Sequence, residues 1–404
     1  MTSDPSPLYG PLPGDVFREY TWKDDMIRVC WRGNQNPAAQ GLCATFPDMK
    51  EYCLDIGDLD GALKAEMVFE YWGGHLGTSD QKFKVNGGEF IPLPQPVNAP
   101  TAPEWYCRNL LGPAVPILLS DLKVGRNVFQ FASGPQTKYN FDWSWYFGYA
   151  FTVRVYYDAA KPHPTAQVTS PAPGSSIGDW PLLESARPHR VDRNERVDYV
   201  GYYEDFDWEG NGIYRQWHYQ YRFGEMTRHL GTAVTAVPYG VVWDTTWLPD
   251  QDEPIKIMAR ITDRWTGIST MTEAVDSILL VRPNRSVRMY KPYDVPENFG
   301  VRVGQRKGCK IDVNGDLSRA RAARLVLAGW SMAHADEIGL NGHVVVQRVG
   351  RTDDYSYSVI EVPLDALREG TNEFYLFSGT EHHAAEVCWP GPVLMVAYDL
   401  GGQR

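Results

Sequence analysis

The segment LKVGRNVFQFASG, from Leu122 to Gly134, returns near the far end of the chain as LREGTNEFYLFSG, from Leu367 to Gly379. Working back from this phrase, DIGDLDGALKAEMVFEYW spans Asp55 to Trp72, and DVNGDLSRARAARLVLAGW spans Asp312 to Trp330, with a single inserted residue aligning the two. Each copy then passes through a polar loop to a turn, Val85-Asn86-Gly87 in the early copy and Leu340-Asn341-Gly342 in the late one. Working forward, each copy places a Trp-bearing loop and a closing strand after the phrase, Phe151 to Asp158 and Val393 to Asp399. An unrelated segment separates the copies, so the chain reads as an internal duplication around a middle unit.

With 404 residues the chain exceeds the ~250–300 at which one hydrophobic core stops growing, which fits three domains. Aromatic residues make up 13%, with 14 Trp and 23 Tyr, a density that favours β structure and broad apolar faces. The net charge of -11 argues against nucleic acid and anionic lipid, whose phosphates are held by Lys and Arg. No run approaches the ~20 apolar residues of a membrane span, and Met1 to Asp15 lacks the basic and apolar regions of a signal peptide. Export stays open on this reading, as secreted and cytoplasmic locations both suit it. The cysteines divide into Cys30, Cys43, Cys53 and Cys107 in the early copy and Cys309 and Cys388 in the late one. Even counts suit bridges, and buried free thiols suit the sequence equally.

Short runs of β-branched and aromatic residues recur between turn signals at Ala65–Trp72, Lys82–Val85, Asn127–Ala132 and Tyr149–Tyr157. That spacing predicts sandwiches. Alternation over 151–157 predicts one core face and one solvent face. Residues 1–20 read as an extended arm, Ala159–Thr165 as a linker, and Arg282–Gly300, with three prolines, as a second linker.

The phrase VPLDALREGTNEF, Val362 to Phe374, together with the Asn-Gly turn, resembles the late hairpin of galactose-binding-like jelly rolls, the sandwich of many carbohydrate-binding modules. The early copy keeps Leu122, Gly125, Asn127 and Phe129 but has LLSD where the late copy has VPLD. In the middle, AQVTSPAPGSSI from Ala166, HLGTAVTAVPYGVVWDTT from His229 and IMARITDRWTG from Ile257 resemble bacterial immunoglobulin-like domains. The resemblances imply an all-β protein of three β-sandwich domains: a jelly roll over 1–160, an immunoglobulin-like sandwich over 161–282, and a linker with a second jelly roll over 283–404.

Candidate binding residues follow from the loops. Trp72 and Trp330 occupy matched strand ends, followed by His75 and His334, and a flat ring beside a polar side chain suits a pyranose. After the repeated phrase, YNFDWSWYFGY supplies Tyr139, Asp142, Trp143 and Trp145, either as a sugar platform or as an aromatic clasp between domains. The late counterpart, TEHHAAEVCW, supplies His382, His383, Glu386 and Trp389, a set with the donors for a metal or for acid–base work. In EDFDWEGNG, from Glu204 to Gly212, Asp205, Asp207 and Glu209 alternate as in a calcium loop, but Gln216 stands where the closing Glu belongs. Calcium is therefore the one cofactor expectation; no organic cofactor is expected. For glycoside hydrolysis, carboxylates are available at Asp80, Asp142, Asp336, Glu337 and Glu386, with no spacing that selects a pair. A lyase base is available in His75 or Tyr139, beside Lys138.

The functional expectation is binding of a polysaccharide or oligosaccharide through aromatic loops of the outer domains. The alternatives are a glycan-active hydrolase or lyase with an interdomain site, and a structural assembly protein.

Overall fold

In Gly125–Ala132 the side chains of Asn127, Phe129 and Phe131 are buried while those between them are not, the two-residue period of a strand with one face on a core. The same period recurs in Tyr52–Ile56 and Lys82–Val85. The computed structural model describes residues 11–33, 37–46, 49–75, 77–94, 110–138, 144–186, 195–234, 239–381 and 384–401. Among them the architecture is all-β apart from a short helix, Pro37–Cys43, and single 3-10 turns.

In the N-terminal sandwich one sheet runs Val16–Trp22, Trp145–Tyr157, Ala62–Trp72, Ala114–Ile117, and the other runs Tyr52–Ile56, Gly125–Ala132, Lys82–Val85, Ile91–Pro92. In the C-terminal sandwich the orders are Arg285–Tyr290, Val393–Asp399, Ala320–Trp330, Tyr355–Val362, and Gln305–Val313, Gly370–Ser378, Glu337–Leu340, His343–Val346. The two orders correspond strand for strand. The middle sandwich faces Glu195–Glu204, Ile255–Asp263 and Ile268–Met271 against Val168–Ser170, Leu182–Ser185 and Tyr239–Val242, closing on Leu183, Val197, Tyr199, Ile257 and Ile261.

The repeated phrase has a physical content beyond its turn. Buried Asn127 donates through Nδ2 to the carbonyls of Lys123 and Gly125, and its Oδ1 accepts from Lys123 N and from Asn86 Nδ2. Buried Asn372 makes the corresponding four bonds, to Arg368 O, Gly370 O, Arg368 N and Asn341 Nδ2. Each amide thus ties its own hairpin to the Asn-Gly turn of a neighbouring strand. The repeated Phe lies in the core, as Phe129 and Phe374.

Three expectations change. Residues from Val16 onward are not part of an arm: Val16–Trp22 is an inner strand, pairing Tyr157–Phe151 on one side and Thr270–Ile268 of the middle domain on the other. One sheet therefore runs through two domains. Residues 285–290, inside the expected second linker, form an edge strand of the C-terminal sandwich because Ser286, Val287 and Tyr290 find partners and burial there. Finally, Trp145–Tyr157 has no solvent face, being buried at every position. Its polar side chains meet the middle domain instead of water.

Arg154 is the centre of that contact. Its side chain is fully buried; Nε donates to Glu19 Oε1 at 2.9 Å, Nη2 to the Tyr221 hydroxyl at 3.1 Å, and Nη1 to Glu66. Arg260 of the middle domain extends the network, with Nη1 to Glu19 Oε2 and Nη2 to Asp198 Oδ2, each at 3.0 Å. Burial pushes the Glu19 carboxyl up, but Arg154 and Arg260 outweigh it and hold it below the usual range; Asp198 is likewise held down, by Arg260 and Arg196.

Arg154→Met should cost about 3–5 kcal/mol in denaturant unfolding, because Glu19 and Glu66 lose their counter-charge in a desolvated site. Stability from the depressed Glu19 and Asp198 is complete above the ordinary carboxylate pKa and is lost as pH falls through their lowered values; Arg260 and Arg196 remain in this variant, so its acid titration should show a smaller step than wild type, reduced by the part of the Glu19 depression that Arg154 supplies. Asn372→Ala should cost on the order of 3 kcal/mol, since backbone groups at Arg368 and Gly370 are left without partners.

Candidate ligand site

The segment Glu204–Gly212 leaves the strand Glu195–Glu204 and must return to Arg215–His218. Its carboxylates accomplish the turn. Asp207 accepts from the backbone N–H of Asn211 at 3.1 Å and of Gly212 at 2.7 Å, and Glu209 accepts from Tyr219 N at 3.0 Å, Gln216 Nε2 at 3.1 Å and His218 Nδ1 at 3.2 Å. Asp207 also reaches across a domain boundary, accepting from Trp389 Nε1 at 3.2 Å. Burial, reinforced by the Glu209 charge, pushes Asp207 up to about 7. For His218 burial alone favours the neutral ring, but the Glu209 carboxylate outweighs it and raises the imidazole to about 9.

This donor set does not fit calcium. N–H groups already aim at the oxygens of Asp207 and Glu209, Asp205 points elsewhere, and the described residues contain no cluster of three or more His, Cys, Asp or Glu side chains that would hold a metal. The alternation read from the sequence serves a self-bonded loop.

Asp205 faces a crevice of about 290 Å³ between the middle and C-terminal domains, near the lower end of the range for small-ligand sites. Three indoles line it: Trp208, Trp243 and Trp247. Trp243 is buried against Tyr203 and forms the floor, while Trp247 keeps part of its surface open. Trp208 Nε1 donates to Asp205 Oδ2 at 2.8 Å, which fixes ring and carboxylate together, and the Phe206 backbone N–H also bonds the carboxylate. Burial raises the Asp205 carboxyl above its ordinary value, against the opposing pull of His218 and the Trp208 bond. Arg228 lies over Trp208, and Arg324 lies over Trp247, each at 4.1 Å from the ring centre. Arg324 is also paired with Glu361 at 2.7 Å. Arg228 makes no ion pair among the described residues, and its backbone sits at φ 59°, a left-handed conformation that costs an Arg energy and that recurs at functional sites.

The residues expected from the sequence fall elsewhere. Trp72 and Trp330 stack on each other with ring centres 4.3 Å apart and planes within 11°, at the contact of the two outer domains. Trp145 is buried in the same cluster, with Phe46, Phe147, Tyr149 and Phe206, and Trp330 Nε1 donates to the Tyr149 hydroxyl at 3.2 Å. Of the two readings of the aromatic loop, its described portion acts as a clasp. His75 stands edge-on to Trp72, with Nδ1 3.6 Å from Oε1 of buried Glu386, so these members of the early and late loops do meet. Trp389 is held by Asp207, and His334 lies apart, 3.4 Å from the Thr352 hydroxyl. Tyr139, Asp142, Trp143, His382 and His383 lie outside the described residues. Cys30 and Cys43 are bridged, while Cys53, Cys309 and Cys388 are thiols outside any disulfide.

Sequence reasoning does not single out Trp208, Arg228, Trp243, Trp247 or Arg324. The available signal is the density of Trp in the middle domain, which a single sandwich of that size does not need for its core.

No protein-family model matches the chain, and no curated protein matches it. Among solved structures it is similar to the hydrolase BuGH86 in complex with neoagarooctaose, at 12% identity over 56% of this chain and 32% of that one, TM-score 0.24. A beta-porphyranase of glycoside hydrolase family 86 from the human gut bacterium Bacteroides plebeius gives 13% identity over 58% of this chain and 38% of that one, TM-score 0.22. Fibronectin(III)-like modules of Clostridium thermocellum CbhA give 12% over 54% and 98%, TM-score 0.19. The chain spans about a third of the length of the first two of these proteins, and similarities this low carry no argument about this chain.

The raised groups carry a pH signature. Asp207 contributes stability that is complete below its ordinary value and lost as pH rises through about 7, and His218 contributes stability lost as pH rises through about 9. Melting temperature should therefore fall between pH 6 and 9, and His218→Gln should flatten the upper part of that decline.

Proposed function

We propose that this protein binds a glycan in the crevice between its middle and C-terminal domains. The observation that carries the reading is the union, in one concave site, of three indoles with a carboxylate and with a guanidinium that makes no ion pair among the described residues. Sugar rings present an apolar face with hydroxyls at its edge, so they are recognised by a flat aromatic surface flanked by polar groups that fix orientation. Trp247 supplies the open face; the Asp205 carboxylate accepts a hydroxyl proton; Arg228 donates to hydroxyl or ring oxygens. Trp208 holds both polar groups in place before the ligand arrives, which lowers the ordering cost of binding.

Catalysis is the second reading, supported by the Asp205 carboxyl, whose pKa burial raises, at a concave surface. A hydrolase also needs a second carboxylate facing the sugar. Asp207 is committed to backbone N–H groups and Trp389 and does not line the crevice; Asp244 does line it, but it is exposed and its Oδ1 already accepts from Thr246 N and the Thr246 hydroxyl, which is why binding is preferred.

Trp247→Ala should weaken glycan binding by roughly 1–3 kcal/mol in calorimetry against array-selected oligosaccharides, with little change in melting temperature because the ring is only half buried. Unaltered affinity in this variant overturns the crevice assignment. Reducing-end release by wild type, abolished in Asp205→Asn, would establish the catalytic reading instead.

A further inference from the structure

We infer that His229 is a specificity-determining residue of the crevice, where its Nδ1 accepts a hydrogen bond from a hydroxyl of the bound saccharide. The inference rests on the reading of the crevice as a glycan site. His229 lines that crevice directly after Arg228, which lines it too. Along an extended chain two consecutive side chains point to opposite sides, but the left-handed φ of 59° at Arg228 breaks that alternation and brings both to one opening.

The hydrogen bonds behind the ring fix which nitrogen carries the proton. Asp198 is fully buried; burial pushes its carboxyl up, but Arg260 and Arg196 outweigh it and hold it below the usual range, so it is ionised and can only accept. The Thr232 hydroxyl spends its one proton on Asp198 Oδ1, at 2.6 Å. The same hydroxyl oxygen lies 2.7 Å from His229 Nε2 and must accept there, which places the ring proton on Nε2. In the neutral ring Nδ1 is then a bare acceptor. It is shielded from solvent and has no hydrogen-bond partner among the described residues, while 12% of the side chain remains open. A shielded acceptor left unpaired is held at a cost, and a hydroxyl that reaches it through the crevice removes that cost. Contact requires the ring edge to tip into the crevice while Nε2 stays on Thr232. The charged groups that face the ring from behind are Asp198, 3.6 Å from Nε2, with Arg260 and Arg196; Asp205, Asp244, Arg228 and Arg324 line the crevice with it. Burial lowers the imidazole pKa from its ordinary value, Asp198 opposes this and the two arginines behind add to it, so the ring is neutral at neutral pH.

The test is calorimetry on the full chain with the tightest binder from an array of neutral hexaoses of the cello, xylo, manno and galacto series. Gln sets its amide where Nε2 lies and Asn sets its amide where Nδ1 lies, so the two substitutions separate the two bonds. His229→Gln keeps the Thr232 contact and loses the acceptor, and should weaken binding about tenfold; His229→Asn keeps the acceptor and should stay within about threefold of wild type. Protonation turns Nδ1 from acceptor to donor, so wild-type affinity should fall as pH drops through the lowered imidazole value. His229→Asn should lose less over the same range, and whatever it still loses belongs to Asp205, whose raised carboxyl is common to both proteins. Nitrogen-15 spectra of wild type, which need no variant to fold, should show the Nε2–H tautomer and a displaced Nδ1 signal when the hexaose is added. Equal affinities in His229→Gln and His229→Asn, coincident pH curves for wild type and His229→Asn, or an unmoved Nδ1 signal overturns the proposal. Weakened binding in Trp247→Ala beside intact binding in His229→Gln overturns this inference alone, whereas unaltered affinity in Trp247→Ala, or no hexaose bound by wild type, overturns the crevice reading and this inference with it.

Discussion

A guanidinium with no water around it governs how the domains of this protein meet. Arg154 sits in the middle of a strand whose other polar side chains are also buried, so it must find carboxylates, and they come from Glu19 before it and Glu66 beside it. A buried ion pair is tolerated only when its remaining hydrogen-bonding capacity is met. Tyr221 and, through Glu19, Arg260 meet it from the middle domain. The first strand is thereby fixed between two domains, and the sheet continues through Arg18, paired with Ile268, without a break.

The same middle domain also reaches both outer sandwiches through one hairpin. Gln220–Arg222 and Glu225–Thr227 pair around a turn at Phe223 and Gly224, both with positive φ. Glu70 of the N-terminal domain accepts the two turn N–H groups, Phe223 N at 2.5 Å and Gly224 N at 2.8 Å. Gly224 is required there twice over, by its φ of 71° and by Thr21, whose Cγ2 would lie 2.2 Å from an added Cβ. One residue before the turn, Arg222 reaches both oxygens of Asp354 in the C-terminal domain at 2.6 Å and packs over Tyr355. The hairpin thus links both outer domains through groups that are mostly desolvated.

What the sequence discloses and what it hides follow from the range of the forces involved. Strands such as Lys82–Val85 and Val393–Asp399 are legible because alternation and turn chemistry are local. The buried amides Asn127 and Asn372 are visible as a repeat, though their bonding becomes clear only when the neighbouring turn is placed beside them. The domain contacts are not legible, since Thr152, Arg154 and Tyr156 look like a solvent face until another domain covers it. The same ambiguity governs the site. Asp205, Asp207 and Glu209 stand out for their spacing, but only the fold separates Asp205, facing the crevice, from two carboxylates spent on closing a loop. Arg324 comes from a strand far along the chain, and nothing near it in sequence foretells Trp247.

The stacked pair of Trp72 and Trp330 bears on where a ligand site can lie. Two sandwiches with the same strand order each end an eleven-residue strand on an indole, and those ends meet, so a patch of one domain packs on its counterpart in the other. A contact between like surfaces is self-complementary, as in a two-fold dimer. It consumes the aromatic strand ends that an isolated domain would offer to a sugar. Phe46, Phe147, Tyr149, Phe206 and Trp208 join the same cluster, which makes the centre of the molecule dry and continuous. Recognition is then left to the margins of that cluster. Trp208 stands at one margin and lines the crevice. The crevice is therefore walled by a residue whose position depends on the junction, so loosening the Trp72–Trp330 stack loosens that wall with it.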